Sequence, residues 1–570
     1  MCYYLYHSDS NTITMITHKQ AGIIMKTYIV HQDYHAKQNS IIDILHLSDF
    51  VDASKYRVDN ACINIGGWQS WNPCTEVMPG KKQPRLNCRL IKQWNAYLVF
   101  PESTLKPSRN IVLGQFVTYL RWNDFYLVFA SAGNVNGTLP PVQFMFNREE
   151  NTVGIEICDK GNDWKTGDVT ARIEIFKAES YFECKDKLAA VFGKDHFEAV
   201  NFLGNNPAGW ESWYNHYANI NQDLIKEDLK KLSGTENIIT LGNYTSTIFQ
   251  IDDGWEQALG DWQTNQERFP ESFKEITTEI ENDGYIPGLW IAPFIIDSRS
   301  KTATQHPEWL LRDEEGKLVP AGYNPLWGKD GTFYCLDLSR DEVVAHLDGL
   351  LETIINDWGF RYIKLDFLYG GMLYGKYAQP TASYKIFARA LKTITARKVT
   401  KDGKPVAYLG CGCPFELSFR NLPLSRIGCD TYEKWKNPMM RFLRWNGRNE
   451  AYLNVVDTLG HALWNNTIFM NDPDVVFVRQ ENCTLSENQK MLIAGVNKLF
   501  GSQFMYSDDP GKAGSYEIEL TKKILDFIKP YDGEEFGIKM IKEDVYEIFS
   551  KSGKYTGIIN LKTAQLEIMN

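Results

Sequence analysis

The sequence predicts an α/β protein: a (β/α)8 TIM barrel flanked by an N-terminal β-sandwich domain and a small C-terminal β domain. Three observations point there. After Asn205-Asn206-Pro207 the chain alternates strand patterns with amphipathic-helix patterns, as a parallel α/β architecture requires. Eight strand candidates lie in a stretch of about 300 residues, the size of such a barrel. Before and after it, short apolar runs alternate with turn residues, and helical stripes are few. At 570 residues the chain is too long for one core, and 43% hydrophobic with 23% charged residues is ordinary globular composition. The expected organisation is an unstructured extension over 1–25, the sandwich over 26–200, the barrel over 201–510 and the C-terminal β domain over 511–570.

Strand candidates in the first domain are 27–30, 96–100, 115–120, 125–129, 152–157 and 171–176. Among them lies the loop Gly66-Gly67-Trp68-Gln69-Ser70-Trp71-Asn72-Pro73. Two tryptophans three apart, flanked by Gly and Pro, are poor sheet core. They suit packing on a neighbour or an aromatic contact to a ligand in the next domain. Residues 181–192 read as a linker helix. The barrel strands are expected at 208–214, 246–253, 285–292, 361–368, 406–412, 425–430, 467–472 and 502–508, with helical stripes such as 341–358 and 383–395 between them. No Gly-rich dinucleotide fingerprint follows the first strand, which disfavours a doubly wound sheet. After Asp509-Pro510 come a helix, 521–528, and strands at 545–549, 555–560 and 564–568.

The fourth barrel strand carries the strongest chemical signal. Ile363, Leu365 and Phe367 alternate with Lys364 and Asp366, so one face is hydrocarbon and the other presents an ammonium beside a carboxylate. Such a pair is costly to bury unless it is paired or used. A structural Lys–Asp pair gives the same pattern, but the C-terminal end of a parallel barrel strand is also where barrel enzymes keep their chemistry. Other strands end alike, in Asp252-Asp253, Asp430, Asn471-Asp472 and Asp508-Asp509, and Arg426, Gly428 and Asp430 share a face by period two. Like charges converging on one rim raise one another's pKa and cost stability.

Two chemistries suit a ring of carboxylates: a divalent metal site, or glycoside hydrolysis by a nucleophile and a general acid. For hydrolysis, Asp366 is the better nucleophile, kept ionised by Lys364, and Asp430 is the acid/base. Asp252 and Asp253 then accept from sugar hydroxyls, and Trp71, Trp213 and Trp290 wall the site. The residues favour this reading over a metal-dependent hydrolase. A net charge of −10 argues against a nucleic-acid partner and an anionic membrane surface. The 11 cysteines, odd in number and without paired CxxC spacing, read as thiols in a reducing compartment. Cys411-Gly412-Cys413 has no nearby His, so zinc is not expected. No run has membrane-helix length, and the N-terminus lacks signal-peptide features, so the expected location is cytoplasmic.

Gln250-Ile251-Asp252-Asp253-Gly254-Trp255, Lys364-Leu365-Asp366-Phe367, Leu409-Gly410-Cys411-Gly412 and Arg426-Ile427-Gly428-Cys429-Asp430-Thr431, in this order at strand ends, resemble glycoside hydrolase family 36, the retaining α-galactosidases. The resemblance runs from the Trp68–Trp71 loop through Asn471-Asp472-Pro473-Asp474 to the C-terminal domain, and is nearest the compact bacterial and thermophile type. It implies a nucleophile at Asp366, an acid/base at Asp430, and sugar-binding positions at Trp71, Trp213, Asp252, Asp253, Trp290, Lys364, Cys411 and Arg426. It implies no metal and no cofactor, an oligosaccharide of the melibiose or raffinose type as substrate, and leaves open whether copies of the chain assemble. Two positions depart from related sequences, which often carry Pro at Cys429 and Ser at Cys413. A galactosyl transferase, an α-glycosidase for N-acetylgalactosamine or arabinopyranose, and a sugar-binding barrel without turnover are the alternatives.

Overall fold

The computed structural model describes residues 4–7, 13–30, 41–84, 105–133, 139–157, 169–325, 327, 330–442 and 450–570. Two antiparallel sheets face each other in the N-terminal part. The larger has eight strands, ordered Tyr4–His7, Ile13–Gln20, Ile23–Val30, Val169–Ala178, Phe125–Ala130, Val117–Trp122, Cys62–Asn64 and Glu76–Val77. The smaller has four, ordered Ile41–His46, Thr152–Ile157, Val142–Asn147 and Ile111–Gln115. Period-two alternation sorts the larger sheet's side chains. Leu120, Leu127, Phe129 and Ile173 meet Phe144, Phe146, Val153 and Ile155 in the sandwich core. Tyr119, Tyr126, Val128 and Phe176 turn the other way, into the core shared with the barrel. One sheet thus seals two cores, which is why its strands are buried on both faces.

Two expectations change here. Part of the segment 1–25 is built into the sheet rather than unstructured: Ile13–Gln20 and Ile23–Val30 form a hairpin through Ala21 and Gly22, which both take positive φ (48° and 76°), and the second strand pairs with Val169–Ala178. Two left-handed residues give a turn whose twist matches that of the flanking strands. The run 115–120 is also not one strand. Phe116, at φ 59°, bends the chain so that Ile111–Gln115 joins the smaller sheet and Val117–Trp122 the larger. The sequence hides this corner because Phe and Val both suit strands. The candidate at 96–100 lies outside the described residues.

The barrel forms as expected. Its parallel sheet begins in topological order with Met470–Asp472 and ends with Val475–Val476. These are two halves of one strand, parted by Pro473 and by Asp474 at φ 76°, so the sheet closes on itself. The other seven strands are Pro207–Glu211, Ser246–Ile251, Ile286–Ile291, Tyr362–Leu365, Ala407–Gly410, Leu424–Arg426 and Phe504–Tyr506. Each is shorter than its apolar run, because the last residues leave the ladder to build the rim. The sixth stops at Arg426, so Gly428 and Asp430 lie beyond it and do not share a strand face with Arg426. Helices such as Ser383–Ile394, which buries Tyr384, Phe387, Leu391 and Ile394 at helical spacing, cover the outside.

Inside the barrel, Ile248, Ile286, Tyr362, Leu409, Leu424 and Met470 form a small apolar layer plugged from below by Val200 and Leu203. Tyr362 belongs to this layer, and period two then turns Lys364 and Asp366 to the same interior face, above it. Ile363 and Leu365, both fully buried, pack outward against the helices. The C-terminal domain is a four-stranded antiparallel meander, Phe536–Lys542, Val545–Ser550, Thr556–Asn560 and Gln565–Met569; the first of these strands was not among the candidates.

Candidate active site

The rim at the C-terminal ends of the barrel strands brings most of the singled-out residues together. Asp366 follows the fourth strand. Its carboxylate accepts from the Trp290 indole N–H at 3.0 Å and from the Phe367 backbone N–H at 2.7 Å. Phe367 takes a left-handed conformation, φ 53°, which ends the strand and makes that second bond. Trp290 comes from the neighbouring third strand, in register with Lys364. Asp366 is therefore held from two sides in one orientation.

Lys364 is not the partner of Asp366 that the sequence suggested. Its ammonium reaches across the barrel to Asp252 Oδ2 at 2.8 Å and to Glu211 Oε2 at 3.7 Å. Its own side chain and both carboxylates are almost fully buried. The first strand ends at Glu211, whose carboxyl is pushed up to about 8 by burial and by Asp252, against the pull of Lys364. Asp252 further accepts from the Gln250 amide at 2.8 Å. The bend expected at Asp252-Asp253 is present, since the second strand stops at Ile251. Asp253 faces another way, accepting from the Trp327 indole at 3.2 Å, and its carboxyl is held well above the usual range by burial and by neighbouring Glu256.

Asp430 sits on the loop after the sixth strand. Arg426, almost fully buried, binds Asp472 at 2.9 Å, Asp474 at 2.8 Å and Asp430 at 3.3 Å. Close packing around the carboxyl, Asp474 and Asp366 together raise Asp430 to about 7, although Arg426 and Lys364 oppose them. Half of its side-chain surface, 51%, still meets solvent, so this group lies at the wall of an open recess rather than inside the core. The neighbouring negative charges therefore count for more, and dehydration for less, than full enclosure would give. Such a carboxyl holds a proton near neutrality and remains within reach of a ligand.

Trp71 enters from the sandwich. Its loop docks on the barrel through the Trp68 carbonyl, which accepts from Phe415 N at 2.9 Å, and through the Ser70 hydroxyl, which accepts from Cys413 N at 3.3 Å. The indole packs edge-on against Phe367 and Tyr369, with ring centroids 4.8 and 5.7 Å away. Gly412 makes this approach feasible: a Cβ there would lie 3.3 Å from both the Trp71 ring and the Phe367 backbone. Cys411 is buried beside the same group, and Asp366 is among the charges that raise its thiol after burial itself. Cys413 is buried against Ser425 at 3.3 Å and the Ser70 hydroxyl at 3.8 Å, so this departure serves the loop contact. Cys429 is buried too, and its backbone N–H donates to Asp457 at 3.3 Å. Trp213 stands on the short helix after the first strand, half-buried, its ring against Tyr217 at 5.3 Å.

Several site residues escaped the sequence reading. Glu211 ends a strand from whose candidate range, 208–214, the sequence singles out only Trp213. Asp474 was visible in a motif but not as a partner of Arg426. Trp327 comes from a loop with no pattern at all. Asp508, expected on the rim, is instead the partner of Arg479 at 3.0 Å. Among the described residues no cluster of three or more His, Cys, Asp or Glu is arranged to hold a metal ion. The acidic groups are spent on Lys364, Arg426, Arg479 and indole N–H groups.

Residues 205–376 match the family model described as Melibiase. A curated α-galactosidase 1 from Pediococcus pentosaceus is 30% identical over 126 residues, which cover 21% of this chain and 16% of that protein. The chain thus spans well under two thirds of that relative's length. Among solved structures, the α-galactosidase TtGalA from Thermus thermophilus, in complex with p-nitrophenyl α-D-galactopyranoside, superposes with a TM-score of 0.68 at 21% identity, covering 96% of this chain and 94% of that one. A variant of the family 36 α-galactosidase AgaA from Geobacillus stearothermophilus, in complex with raffinose, gives 0.60 at 12% identity, covering 96% and 72%. The chain carries a Melibiase domain over residues 205–376 and has the fold of the glycoside hydrolase family 36 α-galactosidases.

Proposed function

We propose that the protein is a retaining, exo-acting α-galactosidase that removes terminal α-D-galactosyl residues from oligosaccharides of the melibiose or raffinose type. The observation that carries this reading is the contrast between two carboxyls on one rim. Asp366 is fixed by two N–H donors, and Asp430, raised to about 7, keeps a proton. Two carboxyls with opposed tasks are what double displacement needs. Asp366 attacks the anomeric carbon as Asp430 gives its proton to the leaving oxygen. Asp430 then takes a proton from water, which releases the sugar with its configuration retained. In this reading Asp252, Asp253, Lys364, Arg426 and Cys411 bind the sugar, and Trp71, Trp213 and Trp290 wall the site. The reaction as written needs no metal or cofactor.

A cytoplasmic location fits the eight described cysteines, all free thiols. Among the described residues no helix is long and apolar enough to cross a membrane. The direct test is proton NMR of the purified protein with an aryl α-galactoside in the presence of a chelator. Early α-galactose is the expected product. Early β-galactose would remove Asp366 from its role as a covalent nucleophile, and hydrolysis abolished by the chelator would favour the metal-dependent reading.

A further inference from the structure

The peptides on both sides of Asp430 are tied to the barrel. On one side, the Cys429 N–H donates to Asp457 at 3.3 Å, and the Cys429 carbonyl accepts from the Asn454 amide at 2.7 Å; both partners stand on the helix Ala451–Gly460. On the other side, the Thr431 N–H donates to Asp474 at 2.7 Å. Asp474 is fully buried and lies in the break of the seventh strand, at φ 76°, a conformation that Asp tolerates better than most residues. One oxygen of its carboxylate accepts from Thr431 and from the Tyr214 hydroxyl, and the other meets Arg426 at 2.8 Å. The guanidinium thus lies closer to Asp474 than to Asp430, at 3.3 Å. We propose that Asp474 is a positioning residue for Asp430: it fixes the backbone that carries the acid/base carboxyl and draws the charge of Arg426 away from it. This role rests on Asp430 being the acid/base.

A cation beside a carboxyl favours loss of its proton, and a general acid must keep it. Arg426 and, from the fourth strand, Lys364 both pull in that direction on Asp430. Beyond burial itself, Asp474 does most to oppose them, ahead of Asp366. Tyr214, after the first strand, and Cys411, at the end of the fifth, also face Asp430; burial raises both, so they stay neutral. Burial and Asp472 push the Asp474 carboxyl up too, against the pull of Arg426. The two carboxyls therefore titrate as a pair beside one guanidinium. With an amide at 474, Asp430 alone faces Arg426, and the upper step of the pair is lost. The hydrogen bonds from Thr431 and Tyr214 need only an acceptor oxygen, which an amide also supplies. If those bonds were the whole role of Asp474, the amide would serve equally well.

The test is Asp474→Asn in the full-length protein, a change that suits the left-handed backbone. The alkaline limb of kcat/KM for an α-galactoside with a sugar leaving group should move down by about one pH unit. Lowering the pH should restore most of the rate, and activated aryl substrates should lose little. Carbon-13 NMR of protein labelled at the aspartate carboxyls reads the same shift without turnover, the signal missing from Asp430→Asn identifying Asp430. If Asp474→Asn does not fold, Asp474→Gly, at ease at positive φ, should lower the Asp430 titration in the same spectra. A wild type that turns over no α-galactoside would end the reading of the reaction, and the NMR titration would still decide the role of Asp474. An Asp430 titration unchanged in the folded variant would overturn that role, as would equal losses for sugar and aryl leaving groups at every pH.

Discussion

The Lys364 ammonium reaches across the barrel to Asp252, 2.8 Å away, and leaves Asp366, two residues along its own strand, to the Trp290 indole. Lys364 thus offsets the charge of buried Asp252 and stands beside Glu211, whose carboxyl, raised to about 8, keeps its proton at pH 7. Lys364→Met would leave Asp252 without its cation. Removing one partner from a buried ionic cluster costs about 3–5 kcal/mol. Denaturant unfolding at pH 7 should show a loss of that order. Adding Asp252→Asn should recover part of it, whereas Asp366→Asn should recover none. Equal recovery by both would mean that Lys364 serves Asp366 after all.

Asp366→Asn keeps the size of the side chain and an oxygen that can accept from Trp290 or Phe367. It removes the negative charge that makes the carboxylate oxygen a nucleophile. Turnover of an aryl α-galactoside should fall by at least about 10³-fold, as loss of a covalent nucleophile does. Galactose affinity, measured by calorimetry, should change little. Wild-type-like turnover from a preparation shown free of wild-type enzyme would end the assignment.

The protonated form of Asp430 is the acid. With its carboxyl raised to about 7, kcat/KM for a poor leaving group should decline as pH rises through that value. In Asp430→Asn this alkaline limb should disappear. Sugar leaving groups should lose far more rate than activated aryl ones, because only the former need the proton. Equal losses across leaving groups would argue against the acid role.

The sequence made the architecture legible because strand and helix periods are local properties of the chain. Five of the barrel's eight strands needed only trimming at their ends, two begin one residue earlier than expected, and Asp366 and Asp430 stood out because a carboxylate at a strand end is conspicuous. What it hid depends on contacts far apart in the chain. Lys364 and Asp366 share a strand face, which suggested a pair, but the barrel interior brings Asp252 and Glu211 nearer to the ammonium. The Arg426–Asp474 contact depends on the break in the seventh strand at Pro473. Phe116 turns a corner between two sheets with a residue that favours strands, and Trp327 reaches Asp253 from a loop without periodicity. None of these leaves a trace in spacing.

The sandwich–barrel contact that presents Trp71 rests on a buried carboxyl. Glu416, on the short helix after Cys413-Pro414, accepts from the Ser131 hydroxyl and from Val142 N at 3.2 Å, both in the sandwich. Burial raises it from 4.5 to about 8. The folded protein therefore binds more protons than the unfolded chain between those values, so this group's stabilising contribution is full below pH 4.5 and is lost as pH climbs towards 8. Glu174, buried nearby and raised to about 7, acts in the same sense. Thermal unfolding of the wild type should accordingly shift to lower temperature between pH 5 and about 8.5. Glu416→Gln is neutral throughout and should flatten that dependence without erasing it, since Glu174 remains. It should also lose less activity than the wild type on the alkaline side when assayed with an activated aryl substrate, for which Asp430 matters least, because the loop that carries Trp71 then keeps its seat. A pH dependence of unfolding identical in the two proteins would show that the Glu416 carboxyl stays charged in the folded state and that the contact holds by its hydrogen bonds alone.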